Sequence, residues 1–228
     1  MKRSEINKAI DWAVDACRKL HCALPDFALW TPQQWKEKAA DTEYMRKVGM
    51  GWDVTDYATG DFDHTGAVLL TIRNGEVKHP ESGRVFCEKY IAMKAGQNLP
   101  CHFHYYKTED IINRAGGTLR VYAWNSKPES TGYEKDMESD VHLFCDGQPV
   151  TIKAGGYVDV TVGNSISLTP YIYHSFSAIK EDGDLIVGEV SRVNDDANDN
   201  HFNPTVNFSK IEEDETAKYQ LCSGGYDQ

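Results

Sequence analysis

Apolar residues recur at helical spacing near the start of the chain and at alternating spacing through its middle. Ile6, Ile10, Ala13, Val14 and Cys17 share one stripe of a helix that Ser4 is placed to cap. His21 to Leu24 and then Pro25 interrupt that pattern. Thr31-Pro32-Gln33-Gln34 combines a cap, a proline at the first helical position and a glutamine three residues after the cap. It predicts a second helix running to about Lys47, ending before Gly49 and Gly51. From Gly51 onward, GWDVTDYATGDFDHTG is dense in Gly, Asp and Thr and reads as loop. Asp61, Asp63 and His64 within it fit a capped turn better than a second metal site.

The texture then changes to short runs with strand character: Ala67 to Ile72, Val85 to Met93, Thr118 to Trp124, Val141 to Phe144, Tyr157 to Val162, Ser165 to Leu168 and Leu185 to Val190. Turn residues separate them, among them Arg73-Asn74-Gly75, Asp146-Gly147, Gly163-Asn164 and Asp182-Gly183. This rhythm predicts a mostly β protein built as an antiparallel sandwich or barrel. We expect a single domain over 1–228, with a helical segment at 1–48 and a barrel core at 65–193. The acidic run Glu212-Glu213-Asp214-Glu215 and the following Ser223-Gly224-Gly225 read as a solvated end.

Composition narrows the function. The chain is 40% hydrophobic and 26% charged, as expected of a folded globular domain. A net charge of -11 argues against general binding to nucleic acid or to anionic membranes. No run approaches a membrane span, and Asp11 and Asp15 break the apolar segment that a signal peptide needs. The six cysteines are scattered without CxxC pairs, which favours free thiols and a cytoplasmic setting.

The chemistry concentrates in one segment. On a strand, His102 and His104 project to the same face while Phe103 points away. Glu109 follows across a bend, and His174, near the start of a later strand, is the natural third imidazole. Together they form a candidate site for one divalent cation. A lone HxH pair is more often surface or core than ligand, so the surrounding frame matters. Gly96, His102, His104, Glu109 and Gly116 match the first cupin motif, G-x5-H-x-H-x4-E-x6-G, at every position. The second motif is matched only loosely, by Gly163 and Pro170 before His174. The chain thus resembles the cupins, which implies a jelly-roll β-barrel with the N-terminal α-helices beside it. His21, His79, His142 and His201 have no partners at ligand spacing.

A narrower resemblance spans nearly the whole chain. The opening MKRSEINKAIDWA, the Trp30 and Trp35 region, Gly51 to Asp56, HFHYYKTEDIINRAGG, Gly188 to Asp196 and Ile211 to Glu215 are similar to the D-lyxose isomerases. That resemblance implies a Mn(II)-activated aldose–ketose isomerase acting on D-lyxose and D-xylulose, and often on D-mannose and D-fructose. Fe(II), Co(II) or Zn(II) would also suit the mixed N/O ligands. Such a reaction needs a base beside the metal. Glu189, an acid inside a strand run next to Gly188, is the first candidate, although an outward-facing carboxylate is an equal reading of the residues alone. Lys107 is placed near the site, where a cation would depress its pKa and let it shuttle a proton. Lys89 could bind a sugar hydroxyl or sit in solvent. Arg192 and Asp195 could hold distal hydroxyls, against a surface salt bridge or a turn cap. Trp52 reads better as core than as a sugar-stacking ring. No Arg/Lys cluster or Gly-rich helix start offers a phosphate site, so the expected partner is an unphosphorylated sugar, with a homodimer as the assembly. An Fe(II) dioxygenase and a non-catalytic sugar-binding cupin remain the competing classes.

Overall fold

The structure is a computed structural model that describes residues 1–208 and 210–222. The Ser223-Gly224-Gly225 segment lies outside the described residues. Three α-helices precede the sheets: α1 (Arg3–Lys19), α2 (Pro32–Glu37) and α3 (Glu43–Lys47). Thirteen strands follow among the described residues. They are β1 (Gly51–Thr55), β2 (Ala67–Arg73), β3 (Phe86–Met93), β4 (Asn98–His104), β5 (Glu109–Gly116), β6 (Leu119–Asn125), β7 (Val141–Cys145), β8 (Gln148–Ile152), β9 (Tyr157–Val160), β10 (Ser165–Leu168), β11 (Ile172–Ala178), β12 (Leu185–Arg192) and β13 (Asn200–Phe202).

All ladders are antiparallel. One sheet runs β1-β2-β3-β12-β5-β10-β7-β8 and the other β13-β4-β11-β6-β9. Their facing surfaces form one core, in which Ile91, Ile111, Ile166 and Val187 of the larger sheet meet Leu99, Leu119, Val121 and Phe176 of the smaller. The fold is therefore the mostly β, cupin-type sandwich that the strand rhythm predicts, with its helices at the N-terminus.

The outer face of the larger sheet is covered by α1. Ile6, Ile10, Ala13, Val14 and Cys17 pack against Trp52, Val54, Val68, Leu70 and Ile186. That contact corrects the loop reading at Gly51. Residues 51–55 form β1, and loop follows only from Asp56. Trp52 and Val54 turn outward to α1, while Asp53 and Thr55 turn inward to a cavity between the sheets. Alternation is present, but its polar face meets the cavity instead of solvent, which disguised it. Trp52 is core, and its Nε1–H donates to the Ala28 carbonyl at 2.7 Å.

Two further expectations are revised. The second helix is two short ones, separated by turns at 38–42. Thr42 Oγ1 donates to the Lys38 carbonyl (2.9 Å) and Arg46 Nη2 to the Ala39 carbonyl (2.6 Å), so side chains take up main-chain acceptors there. With Trp35 the buried residue of α2 and none buried in α3, no apolar stripe supports a continuous helix. The acidic run is exposed, as expected, but it is not a free end, because it docks on the first turn of α1. Arg3 donates to both oxygens of Glu213 (2.6 and 2.8 Å), Ser4 N–H and Oγ–H donate to Asp214 (2.9 and 2.7 Å), and Asn7 donates to Glu215 (2.7 Å). Carboxylates at a helix N-terminus complement its dipole, and Ser4 serves as their donor while Lys2 occupies the cap position.

Because Ile10 is fully buried between α1 and the sheet, Ile10→Ala should cost about 2–5 kcal/mol. At roughly 2–4 °C per kcal/mol for a chain of this size, calorimetry should record a clear drop in Tm. A loss below 1 °C would mean that α1 is not packed as described.

Candidate active site

The metal-type residues are brought together by strand pairing. His102 on β4 lies directly across from His174 on β11, and His104 follows two residues on, on the same face. The ligand atoms of the three histidines lie within 4.8 Å of one another. Phe103 points to the opposite side, into an aromatic cluster with Tyr105, Tyr133, Tyr173 and His201. That cluster stiffens the strand from behind. Glu109, the first residue of β5, reaches both remaining imidazoles: Oε2 is 3.2 Å from His104 Nε2 and Oε1 is 3.2 Å from His174 Nε2.

Hydrogen bonding tests whether these residues suit a cation. Nδ1 of His102 lies 3.0 Å from the Pro100 carbonyl, and Nδ1 of His174 lies 3.0 Å from the Ile172 carbonyl. A carbonyl only accepts, so in both rings Nδ1 carries the proton and a neutral ring presents a lone pair at Nε2. The lone pair of His174 Nε2 thus faces Glu109 Oε1, and neither buried atom has a hydrogen-bond partner. Two acceptors set against each other in the interior fit a shared cation. Burial, reinforced by the neighbouring His174 and His104 rings, holds His102 well below its ordinary pKa and so keeps it neutral, as ligation requires. Burial works against the Glu109 carboxylate, but His104 and Lys107 beside it hold its pKa well below the usual range.

A second group of charges adjoins the first. Lys89, Lys107, Glu109 and Glu189 are only 3, 3, 2 and 5% exposed. Register explains their meeting, because Glu189 on β12 pairs with Lys89 on β3. Lys107, in the turn between β4 and β5, donates from Nζ to Glu189 Oε1 at 2.7 Å and lies 3.2 Å from Glu109 Oε2. Its turn is gripped by Asp199, whose carboxylate accepts from the N–H groups of Tyr106 (2.7 Å) and Lys107 (3.2 Å). Burial would lower the Lys107 pKa, but Glu189 and Glu109 outweigh it and raise the value, the reverse of the depression expected for a proton shuttle. Among the described residues, every hydrogen bond to the Glu189 carboxylate, from Lys107 and from Ser191 Oγ (3.3 Å), falls on Oε1. Oε2 takes none of these hydrogen bonds.

His102, His104, Glu109, Lys89, Lys107 and Glu189 line one cavity of about 120 Å³, together with Asp53, Thr55, Tyr57, Thr71, Asp196, Phe202 and Phe208, while His174 lies behind that lining. Its apolar wall includes Leu69, Ile91, Leu99 and Phe176. Arg192 and Asp195 are not brought into it. Arg192 is paired with Glu81 at the surface, and Asp195 caps its own turn by accepting from Ala197 N–H (3.2 Å) and Asn198 Nδ2 (3.0 Å). Alternation from Glu189 turns Arg192 to the outer face, and the chain leaves the sheet before Asp195. Gly188 also faces outward, and a Cβ there would lie 2.5 Å from Arg114 Nε, so it makes room for that side chain and not for a ligand. Sequence reasoning missed Asp196, which meets Lys89 at 3.3 Å, and also Asn194, Asp199 and Phe202. Phe202 packs against the His102 ring at 5.1 Å. His64 pairs with Asp61 at 2.9 Å in an exposed loop, as a capped turn should, and the six cysteines stand as free thiols.

With this geometry in place, similarity to known proteins becomes informative. The sequence model of the D-lyxose isomerase family matches residues 1–225. A D-lyxose/D-mannose isomerase of Escherichia coli O157:H7 is 39% identical over 225 residues, covering 98% of this chain and 97% of that protein. One from Serratia proteamaculans is 38% identical over 226 residues, covering 97% and 96%. Among solved structures, the L-ribose isomerase of Cellulomonas parahominis without ligand superposes with a TM-score of 0.55 at 16% identity, covering 93% of this chain and 98% of that one. Its complex with L-ribose gives 0.54 at 17% identity, with the same coverage. At that identity the likeness speaks for the fold alone.

If the four residues hold a cation, His102→Ala, His104→Ala and His174→Ala should each fail to retain a stoichiometric divalent ion, as read by elemental analysis of purified protein. Full occupancy in all three variants would remove the site.

Proposed function

The chain belongs to the D-lyxose isomerase family, and on that footing we propose that it interconverts D-lyxose with D-xylulose and D-mannose with D-fructose through the cavity around Glu189. The observation that carries this reading is a buried carboxylate, fixed through one oxygen by Lys107, sharing a cavity with His102, His104 and Glu109, beside which His174 completes the group of three imidazoles. Glu189 removes the C2 proton of the open-chain aldose through Oε2. The C–H electrons form the C1=C2 bond of an enediol while the carbonyl oxygen at C1 takes up a proton. Glu189 then returns its proton to C1, the O2 hydroxyl loses its own, and C2 becomes the ketone. A proton has moved from C2 to C1 and another from O2 to O1, and no oxidant or reductant enters.

A divalent cation held by His102, His104, His174 and Glu109 would supply positive charge to the sugar oxygens as negative charge develops on them. The mixed N/O donor set suits Mn(II), and Fe(II), Co(II) or Zn(II) would also be accepted. Lys107 orients Glu189, and its ammonium balances the carboxylate in a setting where an unpaired charge would be costly. The apolar wall of Leu69, Ile91, Leu99 and Phe176 keeps bulk water from the carbon that loses its proton. Arg192 and Asp195, being outside this cavity, take no part in the scheme. The reading extends to a homodimer, consistent with exposed Val77, Val85 and Phe86, and to a cytoplasmic setting. No helix among the described residues is long and apolar enough to cross a membrane.

Two measurements follow. With Mn(II) and without oxygen or nicotinamide, the purified protein should convert D-lyxose to D-xylulose, and chelation should stop it. Oxygen uptake with another substrate, with no aldose turned over, would favour the dioxygenase class. Glu189→Gln should keep metal and sugar affinity but lower kcat at least about a hundredfold, since general-base contributions are roughly 10²–10⁴-fold. A change under twofold would remove Glu189 from the chemistry.

A further inference from the structure

The interior of the site holds two ammonium groups, yet only one of them touches the base. Lys107 Nζ lies 2.7 Å from Glu189 Oε1, whereas Lys89 Nζ stays 3.8 Å away, beyond hydrogen-bond distance. What separates them is a neutral side chain. Asn194 Oδ1 accepts from Lys89 Nζ at 2.7 Å and from Lys107 Nζ at 3.1 Å. We propose that Asn194 is a positioning residue for the isomerisation, which keeps Lys89 off Glu189 and leaves it pointed at the substrate; this rests on the reading of Glu189 as the base.

The placement of Asn194 is itself enforced. Its N–H donates to Asn74 Oδ1 (3.0 Å), and its carbonyl accepts from Asn74 Nδ2 (3.1 Å). Asn74 Nδ2 also donates to the Val48 carbonyl (3.0 Å), while Asn74 Oδ1 also accepts from Gly75 N–H (2.9 Å). Both asparagines are buried. Gly75 is required at this turn, because a Cβ there would fall 1.9 Å from the Arg84 carbonyl oxygen. Asn74 thus gives two of its side-chain hydrogen bonds to a residue from a distant part of the chain, while those with Val48 and Gly75 hold Asn74 itself in place.

Counting donors shows what this achieves. An ammonium has three N–H groups. Lys107 donates to Glu189 and Asn194 at 2.7 and 3.1 Å and has the Glu109 carboxylate at 3.2 Å as a third, ion-pair neighbour, so it is enclosed by acceptors. Lys89 has Asn194 at 2.7 Å and Asp196 at 3.3 Å, and among the described residues no third acceptor lies within hydrogen-bond distance. Lys89 lines the cavity, so its remaining N–H is available to a sugar hydroxyl. Neutrality matters as much as position. An amide oxygen can serve both ammoniums without adding a negative charge that would compete with Glu189 for Lys107. With no acceptor at Asn194, Lys89 keeps Asp196 at 3.3 Å on one side, and the next opposite charge inside the cavity is Glu189 at 3.8 Å; contact between Lys89 and Glu189 would tie up the base.

The test is a double-mutant cycle on the metal-loaded protein with D-lyxose. Asn194→Ala should lower kcat roughly 10- to 100-fold, the range expected when a reacting group is misplaced by about an ångström, with KM changed less. Asn194→Asp, nearly the same in shape, should also lose activity, because its charge competes for both lysines. In a Lys89→Met background, where no ammonium can collapse onto Glu189, Asn194→Ala should cost less than about threefold in kcat. Asn74→Ala should act in the same direction as Asn194→Ala and be non-additive with it. An Asn194→Asp variant with wild-type kcat, or an equal loss from Asn194→Ala with and without Lys89, would overturn the proposal. Circular dichroism and Tm identify unfolded variants, and Asn194→Asp decides the matter if Asn194→Ala does not fold. Wild-type protein without aldose turnover would refute the isomerase reading, and this proposal with it.

Discussion

The Lys107 ammonium, wedged between Glu189 and Glu109 in the interior of the sandwich, is the interaction on which the site depends. Charges at this depth persist only if each is matched, because losing one partner leaves another buried and unpaired at a cost of several kcal/mol. The matching runs through the whole cavity. Lys107 serves two carboxylates, Glu109 is shared with two imidazoles, and Lys89 is balanced by Asp196 and steadied by Asn194. Strand register does the assembly, with β3 and β12 supplying Lys89 and Glu189, β4 and β11 the histidines, and the first residue of β5 the glutamate.

The same register ties the site to the outside of the molecule. On β1, Trp52 and Val54 anchor α1 while Asp53 and Thr55 line the cavity. Helix α1 is in turn fixed by the acidic segment from Glu213 to Glu215. A fold shared at 16% identity with an L-ribose isomerase is therefore held by pattern and packing more than by residue identity.

Much of this was legible in the sequence. The glycine frame and two-residue spacing around His102 and His104 announced a shared face, and short runs between turn residues announced an antiparallel sandwich. What escaped was polar structure facing inward. The β1 alternation was hidden because its polar side lines a cavity, and the docking of the exposed acidic run was hidden because its partners lie some 210 positions away. Arg192 and Asp195 were expected at the sugar because they follow Glu189 closely, yet a strand's two-residue period and its end send them elsewhere. Asn194 and Asp199 carried no signal, since an asparagine or aspartate in a turn-rich stretch reads as turn chemistry until its long-range partners are known.

The most direct test of the account is turnover of D-lyxose in deuterated water, followed by proton NMR of the D-xylulose formed. Proton transfer through a carboxylate that exchanges with solvent predicts deuterium at C1 of the product, and at C2 of recovered D-lyxose as the reverse reaction proceeds. Product free of deuterium at C1, with a label initially at C2 carried over in full, would mean hydride transfer between the carbons and would contradict the role given to Glu189.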